Sequence, residues 1–328
     1  MTNIQWGIIG TGNIAHQFAS ALQQLDGTTL LTVTSRQHSS AKKFADEFAI
    51  AHPFDTLDAM LALPELDVVY IATPHPQHFA QAKACLLAGK SVLCEKPMTL
   101  NKKQAEELVV LARQQGLFLM EAMLIPLFPA IAELKHLIEQ GTLGEVRGIQ
   151  ASMGFNAPRD WSSRIFNPEL AGGALLDIGI YPLTFAYMIT QSAPLSMQSQ
   201  VEKAVTGVDL QSSIALNYDS GIIANLSCSV GHYLPCTACV FGDKTWAEVV
   251  NFSFGPSQVI IRDQMGEQLE VINCTTERSS YYLEAKHVNE CLRAGLQESP
   301  LVPHQQTLAV LEMMDTLRAQ WQLTYPGE

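Results

Sequence analysis

Two short stretches of this chain carry residue types suited to moving a hydride and a proton. The first, Ile8-Ile9-Gly10-Thr11-Gly12-Asn13-Ile14-Ala15, sets Gly10, Gly12 and Ala15 at Gly-x-Gly-x-x-Ala spacing. Gly10 permits a tight turn, Gly12 lets backbone approach a pyrophosphate, and Ala15 is small enough for a helix to lie on a sheet. That helix would open at Asn13 and Ile14 and present free N–H groups and partial positive charge to an anion. The second stretch, Glu95-Lys96-Pro97, closes the apolar run Ser91 to Cys94. A lysine at the carboxyl edge of a later strand can reach the reactive end of a bound dinucleotide. The pair points to a nicotinamide-dependent oxidoreductase.

Other residues refine the expected cofactor. Thr34-Ser35-Arg36 ends the second expected strand, about 26 residues beyond Gly10. An NAD site usually places Asp or Glu there for the ribose 2′-hydroxyl. Ser35 supplies a hydroxyl instead, and Arg36 a forked cation that suits a 2′-phosphate. NADP is therefore preferred, with NAD as the alternative if Arg36 is a surface charge and the acid was simply lost. Ala72-Thr73-Pro74-His75 ends the fourth strand and puts Thr73 and Pro74 at the carboxyl edge, where a dinucleotide lies. His75 and His78 share a helical face without a carboxylate or thiol companion, so His78 reads as a support for the loop. No metal site is expected.

The elements that must position these residues are legible in the hydrophobic pattern. The first third alternates strand and helix: strands over 4–9, 29–34, 53–54, 68–72, 91–94 and 117–121, with helices over 13–25, 41–48, 57–63, 77–88 and 102–115. This order predicts an N-terminal Rossmann fold, a doubly wound parallel sheet over residues 1–122. From 123 to 328 the pattern changes to alternating strands and turns, with Asp219-Ser220-Gly221 as a hairpin turn and two closing helices. That predicts an α+β domain on a large, mostly antiparallel open sheet, for substrate binding and dimerisation.

Composition narrows the function classes. The chain has 328 residues, 47% hydrophobic and 16% charged, with a formal charge of −12. That balance argues against a nucleic-acid partner, which needs a basic surface. No uninterrupted apolar run reaches the roughly 18 residues of a membrane span, and no signal peptide is recognisable at the start. The seven cysteines (85, 94, 228, 236, 239, 274 and 291) form no framework and suggest reduced, cytoplasmic thiols. Cys236-x-x-Cys239 lacks the second ligand pair that a zinc site wants.

A further motif runs Gly172-Gly173-Ala174-Leu175-Leu176-Asp177-Ile178-Gly179-Ile180-Tyr181-Pro182. Asp177 and Tyr181 are four apart and would share a helical face, although Pro182 could kink that helix. From spacing alone this could equally be a glycine-rich cap before a core helix with a buried tyrosine. The whole set of motifs resembles the glucose-fructose oxidoreductase / inositol dehydrogenase / rhizopine-catabolism family of NAD(P) enzymes over nearly the full length. Glu121-Ala122-Met123 and the stretch from Gly172 to Tyr181 are most similar to the dimeric dihydrodiol dehydrogenase and NADP-dependent xylose dehydrogenase branch. The resemblance implies that Lys96 contacts the nicotinamide ribose and the substrate hydroxyl and that Tyr181 is the acid/base; Asp177 could orient either Lys96 or Tyr181. In one place the chain departs from the branch: Leu124 and Pro126 stand where relatives carry tryptophan and arginine, and Arg147, Arg159 and Arg164 could compensate.

The leading expectation is an NADP-dependent oxidoreductase acting on a secondary alcohol of a sugar, polyol or cyclic diol. The alternative is a catalytically silent cofactor sensor, which would have little need of both Lys96 and Tyr181. A homodimer is expected through the open face of the second sheet, with Ile214, Leu216 and Tyr218 alternating beside Ile222, Ala224 and Leu226 as its apolar surface.

Overall fold

The computed structural model describes residues 3–328, which group into two compact units. The first comprises Met1–Met123 together with Arg278–Leu308. Its elements run β1 (Ile4–Ile9), α1 (Asn13–Leu22), β2 (Thr28–Thr34), α2 (His38–Phe48), β3 (His52–Phe54), α3 (Leu57–Leu61), β4 (Val68–Ile71), α4 (His78–Leu87), β5 (Ser91–Glu95), α5 (Lys102–Gln115) and β6 (Leu119–Ala122). The strands form one parallel sheet in the order β3-β2-β1-β4-β5-β6. This is the doubly wound Rossmann order expected from the alternation. Every residue of β4 and β5 is buried, as suits strands covered on both faces. α1 turns Ala15, Phe18, Ala19, Ala21 and Leu22 inward. Strand order reverses between β1 and β4, so the loops after these strands flank the crevice where such folds take ligands.

Placing all of 123–328 in one domain needs correction. α8 (Ser280–Arg293) belongs with the first unit. Asn289 explains the attachment: its side chain accepts from Trp6 Nε1 at 3.0 Å and donates to Thr28 Oγ1 at 2.8 Å. Arg293 also donates to the Gly27 carbonyl at 2.8 Å. α9 (His304–Trp321) begins in the first unit and continues in the second.

The second unit is Leu124–Glu277 with Ala309–Glu328. It contains α6 (Pro129–Glu139), β7 (Val146–Asn156), α7 (Ile180–Thr190), β8 (Ser196–Lys203), β9 (Asp209–Asn217), β10 (Ile223–Ser229), β11 (Gly231–Gly242), β12 (Trp246–Val250), β13 (Gln258–Arg262) and β14 (Gln268–Asn273). Its eight-stranded sheet has the order β14-β13-β12-β11-β7-β10-β9-β8 and is antiparallel except for β10 beside β7. The Asp219–Gly221 turn joins β9 to β10, closed by Tyr218 N–H to Ile222 O at 3.0 Å. α7 is buried from Ile180 through Met188, which explains why Pro168–Thr190 has the length and hydropathy of a membrane span: 94% of its most apolar window is inside the fold.

The sheet is one-sided, but the apolar set expected on its open face lies on the covered one. Ile214, Leu216, Ala224 and Leu226 are all buried, on the side where α7 packs against β7 and β10. The opposite side chains of the same strands, Gln150, Ser213 and Asn225, are exposed and polar. Alternation had separated the two faces; assigning the apolar one to solvent reversed them.

Candidate active site

The first unit holds a cavity of about 460 Å³ over the β1–α1 turn. Gly10 sits there at φ +105°, and an added Cβ would lie 2.7 Å from the Ala72 carbonyl oxygen, so strain and crowding both demand glycine. Gly12 faces no such demand from the fold. Nothing lies within 4 Å of where its Cβ would be, and as N-cap of α1 it makes no side-chain cap to the helix N–H groups. The space over it is open, at the N-terminus of α1.

Ser35 and Arg36 line the same cavity, as do Thr73 and Pro74. Thr11 donates to Ser35 Oγ at 3.5 Å, joining the glycine turn to the end of β2. Sequence reasoning missed Asp55, Gln77 and Gln81, which also line it. Thr73 Oγ1 donates to Gln81 Oε1 at 2.6 Å, and Gln81 Nε2 donates to Gln77 Oε1 at 3.3 Å. The signal that could have found Asp55 was its place directly after β3, at the carboxyl edge of the sheet. The donors present, an open glycine cradle, a helix N-terminus, a hydroxyl and a guanidinium, fit a dinucleotide. Asn13 and Ile14 form the first turn of α1 but do not line the cavity, and neither do His78, Glu95 and Lys96.

His78 and Glu95 belong to a buried scaffold behind the loops, and Lys96, half-buried, follows directly on Glu95. His78 is fully buried, with Nδ1 2.8 Å from the Pro97 carbonyl and Nε2 2.7 Å from the Thr73 carbonyl. The ring therefore ties the loop after β4 to the loop after β5, the support expected of it. Burial pushes its pKa below the usual histidine range. Glu95 ends β5 and accepts a short hydrogen bond from Tyr70 of β4. The Lys96-Pro97 peptide is cis. Glu121, at the end of β6, accepts from Met98 N–H at 2.9 Å and from Thr307 Oγ1 at 3.0 Å, and burial pushes its pKa up. Lys96 thus sits between anchored neighbours: Glu95 is held by Tyr70 before it, and Pro97 and Met98 by His78 and Glu121 after it.

Asp177 and Tyr181 lie in the second unit. Leu175–Gly179 forms a π-helical turn, and α7 follows directly from Ile180. The widened turn suits Pro182, which cannot donate and whose ring crowds the carbonyl four residues back. Pro182 therefore does not break the helix; the irregularity falls on Asp177 just before it. Asp177 is buried, and Arg164 donates to its Oδ1 from both Nη1 and Nη2 at 3.1 Å. Tyr181 is buried, with its ring 6.4 Å from that of the exposed Phe254.

One residue here had no signal in the sequence. Asp209 starts β9, is fully buried, and accepts the Leu175 N–H at 2.6 Å. It caps the turn that carries Asp177. Burial raises its pKa to about 6, against the pull of nearby N–H groups and Arg318. Gly173, at φ +115°, is glycine because a Cβ would sit 2.1 Å from Asp209 Oδ1.

Of the arginines singled out from sequence, Arg147 pairs with exposed Glu145 and Arg159 stacks 5.8 Å over Trp161. Arg164 alone of these three reaches a site residue. Cys236 and Cys239 lie on β11, and burial raises the Cys239 thiol to about 11. Among the described residues no cluster of three or more His, Cys, Asp or Glu could hold a metal ion.

Comparison with known proteins identifies both domains. Residues 4–123 match the oxidoreductase family with an NAD-binding Rossmann fold, and residues 131–248 match the GFO/IDH/MocA C-terminal domain. The chain is 36% identical to trans-1,2-dihydrobenzene-1,2-diol dehydrogenase of Mus musculus and 34% identical to that of Homo sapiens, covering 99% of both chains in each case. A 3-ketoreductase from Actinomadura kijaniata, crystallised with NADP and TDP-benzene, superposes with a TM-score of 0.86 at 26% identity over 97% of this chain and 98% of that one. An aldose-aldose oxidoreductase from Caulobacter crescentus, complexed with glycerol, shares the fold at a TM-score of 0.89 and 23% identity, over 98% of each chain. With both domain types matched in order and relatives aligned end to end, the chain belongs to the GFO/IDH/MocA oxidoreductase family, in its dihydrodiol dehydrogenase branch.

Proposed function

We propose that this oxidoreductase uses NADP to transfer a hydride to or from a secondary alcohol or carbonyl of a sugar or cyclic diol, with Lys96 and Tyr181 handling the proton. The observation that carries the cofactor reading is the cavity wall. Ser35 and Arg36 stand at the end of β2, where an NAD site keeps an acid, and they face the same space as the glycine turn. Gly10, Gly12, Thr73 and Pro74 would hold the dinucleotide, with the first turn of α1, Asn13 and Ile14, supplying positive potential. His78 and Glu95 position the loops. When bound, the nicotinamide supplies the hydride acceptor or donor.

The proton work falls to this chain. An alcohol loses hydride only if its hydroxyl proton leaves too. A free phenol titrates near pH 10, too high for a good base at neutral pH, and a neighbouring ammonium stabilises the phenolate. Lys96 and Tyr181 have the chemistry for this, and their joint titration belongs to the pair rather than to either residue. Sugars and diols are the proposed substrate class because relatives are named for them.

The test is a spectrophotometric screen of trans-1,2-dihydrobenzene-1,2-diol, aldoses and inositols with NADP and NAD, repeated on Lys96→Met. Turnover with NADP that falls by orders of magnitude in the variant, while NADP binding survives, supports the reading. Normal turnover by Lys96→Met would remove Lys96 from the chemistry. A protein that binds NADP and turns over none of these compounds would favour the sensor. For assembly, we propose a cytoplasmic homodimer through the open sheet face, now read as the polar surface around Gln150, Ser213 and Asn225. Light scattering giving a monomer at micromolar concentration would end that reading.

A further inference from the structure

We infer that Arg164 is a positioning residue for the reaction, holding Asp177 charged and oriented through a loop that the Gly172-Gly173 pair locks in place. The inference rests on the reading that Asp177 serves the active site.

Arg164 lies outside every regular element, on the stretch between β7 and the π-helical turn. A surface arginine there would move freely. This one is constrained twice. Its guanidinium directs two N–H groups to one carboxylate oxygen of Asp177, whose side chain is only 12% exposed against 44% for the arginine. Its backbone is held independently. Gly173 N–H donates to the Ile165 carbonyl at 2.8 Å, and a Cβ on Gly172 would lie 2.7 Å from the Arg164 carbonyl oxygen and 2.5 Å from that of Ile165. Gly172, having no Cβ, therefore lets the segment that carries Arg164 approach the turn that bears its carboxylate partner. Asp209 fixes that turn from the other side through Leu175 N–H.

The arrangement has a chemical consequence. A guanidinium beside a mostly buried carboxylate favours the ionised form. Its two N–H groups converge on one oxygen, Oδ1, and fix the position of that oxygen more tightly than a single freely rotating ammonium would. Remove the cation, and Asp177 loses the partner that orients it and that stabilises its ionised form. From sequence, Arg164 is only one of three arginines that could compensate for the branch's missing one; its pairing with Asp177 gives it a specific place.

The test compares Arg164→Gln, Arg164→Lys, Gly172→Ala and Asp177→Asn, assayed with trans-1,2-dihydrobenzene-1,2-diol or whichever aldose or inositol the screen shows to be turned over. Arg164→Gln is expected to lower kcat at least tenfold, to move the acid limb of the kcat profile to higher pH, and to leave NADP affinity, read by fluorescence titration, within twofold. Arg164→Lys should recover the position of the acid limb but only part of kcat. Gly172→Ala should resemble Arg164→Gln, because it pushes the loop away without touching a charge. In an Asp177→Asn background, Arg164→Gln should change kcat less than twofold. An impaired Asp177→Asn enzyme beside an Arg164→Gln enzyme with unchanged kcat and acid limb would overturn the inference alone. Equal losses from Arg164→Gln in both backgrounds would also overturn it. Wild-type turnover by Asp177→Asn would instead bring down the active-site reading on which the inference stands.

Discussion

Asp209→Asn should make the protein more stable, and increasingly so as pH rises. The carboxylate is fully buried and its pKa is raised from 3.8 to about 6. In the unfolded chain the same group ionises near its ordinary value. Between the two pKa values the folded state holds a proton that the unfolded state has released, so stability falls as pH rises through this window. Above pH 6 the penalty is constant. At ~1.4 kcal/mol per pKa unit, it is about 1 kcal/mol at pH 4.5 and about 3 kcal/mol at pH 7.5. Asparagine removes the titration while its amide oxygen can still accept the Leu175 N–H. The advantage of the variant should therefore grow by about 2 kcal/mol between pH 4.5 and pH 7.5. Urea unfolding of both proteins, followed by far-ultraviolet circular dichroism at several pH values, measures this directly. A difference that stays flat with pH, or that moves against the variant as pH rises, would refute the claim that burial dominates at Asp209. It would mean that the capped N–H groups and Arg318 hold the charge at no net cost.

The two cofactor glycines should respond oppositely to alanine. Gly12→Ala has open space for its methyl group, so the melting temperature should hardly change while NADP affinity falls at least tenfold; thermal melts and fluorescence titration separate the two effects. Gly10→Ala meets the Ala72 carbonyl at a positive φ and should cost roughly 1–3 kcal/mol in stability, seen as a lower urea midpoint even without cofactor. Arg36→Ala should weaken NADP far more than NAD, and equal losses in titrations with both would remove the 2′-phosphate argument. His78→Ala leaves at least one inward-facing carbonyl without its donor and should cost about 1–3 kcal/mol, again read from the urea midpoint.

The sequence determined the architecture and most of the cofactor site because both rest on local rules. Strand–helix alternation specifies a parallel sheet, and a glycine turn after the first strand falls at the carboxyl edge of that sheet wherever the order is doubly wound. Hence Gly10, Gly12, Ser35, Arg36, Thr73 and Pro74, singled out as candidates from the sequence, all line one cavity. What the chain does not encode locally is which distant segment fills a given place. α8 returns to the first unit through one buried asparagine that bonds Trp6 and Thr28 from more than 260 positions away. Asp209 is one acid among many in the sequence and becomes a buried cap only when β9 passes the turn at Leu175. Alternation along β9 and β10 shows that one face is apolar and one polar, yet not which of them a helix will cover. Arg164 could not be told from Arg147 or Arg159 until the glycine pair brought its backbone against the turn that carries Asp177. Periodicity and turn chemistry act over a few residues, whereas burial and charge pairing depend on what folds alongside; the first kind of information was on the page from the start, and the second exists only in three dimensions.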